Sequence, residues 1–202
     1  MRSLLKPVAL AGLVFLAGAA PAFAHLSPEE HGSFMAGFTH PLFGLDHILA
    51  MVAVGLWAAM IGRRAVYLVP LSFVGTMAVG FLLAFTGIEL PFVEPAILAS
   101  VIALGLLIAA AVKLPTEIGM VVVGIFALFH GYAHGGEIGA ATHVAYGLGF
   151  AVATSLLHIA GIGLGLVVGA GIVMPRKTGQ AVTRVLGGAA AALGIGLATG
   201  AV

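Results

Sequence analysis

Two short stretches concentrate the residues able to do chemistry. Residues 40–51 read HPLFGLDHILAM and hold His40, Asp46 and His47; residues 129–137 read FHGYAHGGE and hold His130, His134 and Glu137. Imidazole nitrogens and carboxylate oxygens are metal donors, and a chain without cysteine can offer no thiolate. That donor set suits Ni(II), Co(II), Zn(II) or Cu(II), and affinity order alone does not choose among them. His130 and His134 stand four apart, so on a helix they share one face and could grip one ion. Met51 follows His47 by four residues and lies one turn deeper on the same face. The Asp46–His47 pair could also serve as a proton relay.

The elements that carry these residues must be membrane helices. Hydrophobic residues make up 61% of the 202 and charged residues 7%, where a soluble domain carries about 25% charged. The apolar runs are about 20 residues long, the length of spanning helices rather than of alternating barrel strands. A net charge of +1 argues against nucleic acid as a partner. Residues 1–24 read as a cleaved signal peptide: Arg2 and Lys6, then VALAGLVFLAG, then the small-residue triplet Ala22 to Ala24. Residues 25–202 then form one all-α, polytopic domain of six spans, expected at 42–62, 65–87, 92–112, 117–135, 148–173 and 184–201. Arg63, Arg64, Lys113, Arg176, Lys177 and Arg184 all fall in alternate loops, and Glu89 and Glu137 in the others. By the positive-inside rule this places both mature termini in the periplasm of a bacterial inner membrane.

Thirty glycines imply close helix packing. Gly161, Gly165 and Gly169, and likewise Gly188, Ala192, Gly196 and Gly200, repeat at four-residue spacing, which lets helices approach in lipid and could also serve a homo-oligomer. Ahead of span one, Ser27 and Glu30 make a capping box for a short helix whose apolar face carries Phe34, Met35 and Phe38. Pro41 and Gly44 interrupt that helix before LDHILAM resumes it, and a broken helix at membrane depth belongs against protein or a water-filled cavity, as at transporter binding sites. Both histidine motifs reach a similar depth from the outer side, on spans one and four, so His40, Asp46, His47, His130 and His134 are read as one metal site. Intramembrane ionisable groups are functional by default. His143 and His158 read equally as structural histidines bonded to a neighbouring helix or as pathway ligands, His158 being a deeper station. His25 and His31 are expected at the outer surface. His25 would offer an α-amine and an imidazole after cleavage.

The two motifs, in this order, resemble the HupE/UreJ family of membrane proteins linked to nickel supply for hydrogenase and urease. The resemblance runs through HPLFGLDH and FHGYAHGGE and extends, as layout, over the mature chain. It implies a secondary permease for Ni(II), with Co(II) as the other candidate cargo and no organic cofactor. It also implies that His40, Asp46, His47, His130 and His134 carry the metal. By position alone, His25, His31, Glu137, His143, His158 and Met51 are candidate secondary or pathway residues. Two other readings stand beside it. An intramembrane metalloenzyme could use the H-x-x-x-H spacing of HGYAH, although Gly131 stands where the glutamate of H-E-x-x-H would be. A periplasm-facing metal sensor or accessory protein would bind without transport.

Overall fold

The computed structural model describes residues 34–136, 143–169 and 173–202, and every regular element among them is a helix. These are α1 (Phe34–Phe43), α2 (Leu45–Ile61), α3 (Ala65–Leu83, extended by a 3-10 turn at Ala84–Thr86), α4 (Val93–Ala109), α5 (Thr116–Gly136), α6 (His143–Gly169) and α7 (Arg176–Thr199). The expected signal peptide, His25, His31 and Glu137 lie outside the described residues.

Four of the helices, α3 with its extension, α5, α6 and α7, are long and apolar enough to cross a membrane. α1 and α2 pass the same test only as a pair, bent by 83°. α4 is apolar but has 17 residues, roughly 25 Å at 1.5 Å per residue, the short end of what spans a bilayer. The surroundings of this bundle are apolar. Leu71, Val79, Leu82, Val121, Ile125 and Ile159 are exposed, large apolar side chains that suit lipid rather than water.

Several boundaries differ from expectation, for physical reasons. The bend falls at Gly44, whose backbone is extended (φ −82°, ψ 116°). Pro41 sits inside α1 instead of ending it. α6 begins at His143 and α7 at Arg176, five and eight residues before the expected starts at 148 and 184. Arg176, Lys177 and Arg184 therefore lie on a helix and not in a loop. Pro175 caps α7, its fixed φ being suited to a helix start. Arg184 Nε donates to the Ala109 carbonyl at 2.8 Å, closing the end of α4. Gly62, Lys113, Arg176, Lys177 and Arg184 line one cavity, so the basic residues gather at one end of the bundle.

Packing is by backbone. α3 lies along α5, α2 and α1 along α6, and α4 along α7. Each seam is closed from both sides by glycine: a Cβ on Gly80 would strike the Leu128 carbonyl, and one on Gly131 the Met77 carbonyl. Gly55 and Gly161 do the same for α2 and α6, and Gly105 and Gly187 for α4 and α7. The row expected on the last span is not its packing face: Gly188 only grazes Ala109 and Gly200 meets nothing, while Gly179, Gly187 and Gly194 make the contacts. α1 likewise packs its small face, Ala36, Gly37 and Pro41, inward and leaves Phe34 and Met35 exposed. α2 is the central helix, touching α1, α3, α4, α5, α6 and α7. Its Trp57 is fully buried and donates Nε1–H to the Val112 carbonyl at 2.9 Å.

Candidate metal site

The bend at Gly44 is what builds the site. It puts His40 on the last turn of α1 and Asp46 and His47 on the first turn of α2, facing each other across the break. α5, held to α3 by Gly131 and Gly135, brings His134 up from the other side. One ring nitrogen of each of His40, His47 and His134 lies within 4.8 Å of the others. His47 and His134 are buried and His40 is half-buried.

An ionised carboxylate only accepts, so the 2.9 Å contact between His47 Nδ1 and Asp46 Oδ1 is an N–H donated by the imidazole. With His47 neutral, the lone pair is on Nε2, which meets His134 Nε2 at 2.6 Å. In this state His134 Nε2 is the donor. Carboxylate behind histidine is the arrangement that orients a metal ligand and raises its basicity. Two nitrogens at about 2.1 Å from one ion lie roughly 3 Å or more apart. An ion held by both would need His47 and His134 slightly further apart, with the proton between them released or moved to His134 Nδ1.

His130 lies one turn deeper on α5. Its ring is 5.4 Å from that of His47, outside the triad but next to it. Its Nδ1 donates to the Phe126 carbonyl at 3.0 Å. Nε2 is left with its lone pair, buried and with no protein partner. Phe150 of α6 walls the triad, its ring 4.6 Å from His134 and 6.1 Å from His47. Tyr146, one turn earlier, lies 6.3 Å from His40. Neither aromatic stood out in the sequence, although their i, i+4 spacing on an otherwise Gly- and Ala-rich helix was the available signal.

The remaining candidates go elsewhere. Met51 is fully buried in the apolar core with Val54 and Trp57. His143 opens α6 and packs 4.2 Å from the Phe85 ring. His158 is buried on α6 with its ring 5.0 Å from Phe73. Glu117 and Glu94 occupy the first turns of α5 and α4, as helix-start carboxylates do.

A family model described as HupE / UreJ protein matches residues 13–197. Among curated proteins, Protein HupE of Rhizobium leguminosarum bv. viciae is 48% identical over 180 residues, covering 89% of this chain and 91% of that protein. No solved structure matches significantly.

Proposed function

This chain belongs to the HupE/UreJ family, and from that membership we propose that it is a secondary permease for a divalent transition metal, Ni(II) first and Co(II) second, supplying metalloenzymes such as hydrogenase or urease. The observation that carries the reading is the convergence of His40, His47 and His134 at the end of the bundle away from the basic residues. Three imidazoles, with Asp46 behind that of His47, offer exchangeable nitrogen ligands and one compensating negative charge, enough to strip water from a dication without trapping it.

In this reading residues 1–24 are a cleaved leader, the bent α1–α2 pair and α3 to α7 make six passes, and the histidine end faces the periplasm. The ion enters where α1 leaves α2, exchanges onto the triad and meets His130 Nε2 below it. A transmembrane potential, negative inside, favours inward movement by roughly 2.3 kcal/mol per charge per 100 mV, so a dication needs no ATP.

The test is ⁶³Ni(II) uptake into proteoliposomes holding the purified protein, with Co(II) and Zn(II) as competitors, for the parent, His47→Ala and His134→Ala. Saturable uptake in the parent and its loss in both variants is the expected result. Tight binding to the parent with no uptake sinks the permease reading in favour of a sensor or accessory protein.

A further inference from the structure

The buried polar residues do not end at His130. Phe150 abuts the triad, and His158 follows it by eight residues on α6, about 12 Å deeper along the helix. His158 is 1% exposed, and neither Nδ1 nor Nε2 has a partner in the protein. An apolar side chain would fill the same space without stranding two polar atoms.

Its neighbours form a register between α6 and α3. Phe81 lies beside Tyr146, with rings 6.5 Å apart. One turn further along α3 and two along α6, the buried Thr154 hydroxyl donates to the Met77 sulfur at 3.8 Å. One turn deeper again, the buried Phe73 ring stands 5.0 Å from His158. The same Phe73 ring is 5.6 Å from His130 on α5, so one aromatic side chain packs against both imidazoles. Three helices thus bring imidazole, thioether and imidazole to adjoining turns below the outer triad. All three groups are buried.

We propose that His158 is the principal ligand of a second, inner cation station, completed by His130 Nε2 and the Met77 thioether, in which a transition-metal dication rests between the outer triad and the basic end of the bundle. The donor set is softer than the outer one. It suits Ni(II), Co(II) or Cu(II) and rejects Mg(II) and Ca(II), which want oxygen. Phe73, in contact with both imidazoles, is the side chain that must turn aside for the ion to pass. The station rests on the permease reading for its purpose, but its existence is tested separately.

The chain has no cysteine, so His158→Cys introduces a single thiol whose metal contacts can be read without background. Co(II) titrated into the full chain in detergent should give a near-ultraviolet thiolate-to-cobalt band in His158→Cys and none in the parent. The visible cobalt bands of the outer triad should be the same in both and certify the fold. An intact outer spectrum without the new band overturns the station. If the cysteine variant does not fold, Co(II) stoichiometry on His158→Gln decides: one equivalent fewer than the parent supports the station, and an unchanged number overturns it. His158→Leu should keep outer-site binding yet lose about tenfold or more in ⁶³Ni(II) uptake, the scale of a lost ligand shell interaction; uptake equal to the parent overturns the transit role. A parent that takes up no metal overturns the permease reading alone, since the charge-transfer band still decides whether metal reaches position 158.

Discussion

The two histidine motifs build their halves of the site in opposite ways. FHGYAHGG lies on an uninterrupted helix, and its glycines alternate with its histidines in function. Gly131 and Gly135 press α5 against the backbone of α3 at Met77 and Phe81, while His130 and His134, one residue earlier in each turn, face α1 and α2. HPLFGLDH instead straddles an 83° bend, with His40 on one arm and His47 on the other. One half is fixed by backbone contact at Gly131 and Gly135. In the other, the separation of His40 and His47 is set by the angle at one joint, Gly44. On the permease reading, such a pair gives a fixed reference and an adjustable ligand set.

Removing the fixed half should have the largest effect. Gly131→Val places side-chain atoms where the Met77 carbonyl and the Phe81 amide already stand. Neither is a flexible side chain that can give way, so the cost is on the order of 3 kcal/mol or more. The expected outcome is loss of folded, monodisperse protein in detergent, seen by size-exclusion chromatography. Normal yield and normal uptake would mean that the α3–α5 seam is looser than its geometry implies. Next in size is the support behind the movable half. Asp46→Ala leaves His47 without the acceptor at 2.9 Å that holds its tautomer. Metal affinity should fall roughly 10–100-fold, the usual consequence of losing such an orienting group. Equilibrium Ni(II) binding measures it, with the helical circular dichroism unchanged.

Much of this was legible in the sequence, and the parts that were not share one cause. The meeting of the motifs followed from spacing and sidedness alone: His40, His47 and His134 do converge, and His130 lies one turn below. Element ends were less legible. HVAYG and RKTGQAVT are not apolar enough to look like membrane, so hydropathy started α6 and α7 late, yet both stretches are helical from their first residues. Hydropathy reports which residues lipid tolerates, whereas a helix needs only its own backbone hydrogen bonds. The packing faces were illegible for a related reason. In a helix such as α7, where Gly and Ala fill most positions, small residues repeat at i, i+4 on several faces at once. The true face, through Gly179, Gly187 and Gly194, is selected by what Val168, Gly105 and Ile102 present to it. The wall of Phe150 and Tyr146 was hidden because aromatic side chains at helical spacing are what any core would show.

The finest test acts on the joint itself. Gly44 has an ordinary extended backbone (φ −82°, ψ 116°), which alanine adopts without strain. Its lack of a side chain matters for another reason: a Cβ there would sit 2.9 Å from His47 Nδ1 and 3.0 Å from Asp46 Oδ1. Gly44→Ala therefore leaves the bend possible and crowds the one hydrogen bond that sets His47. Replacing glycine where alanine fits the backbone stabilises by about 0.4–1 kcal/mol through the unfolded chain. The expected variant is thus as stable as the parent or slightly more so, and binds Ni(II) several-fold more weakly. That combination separates the two uses a glycine at a bend can have. Thermal stability and Ni(II) affinity measured on the same preparation distinguish them. If both fall together, Gly44 is needed as a hinge. If affinity falls while stability holds, the glycine is there to make room for the Asp46–His47 pair.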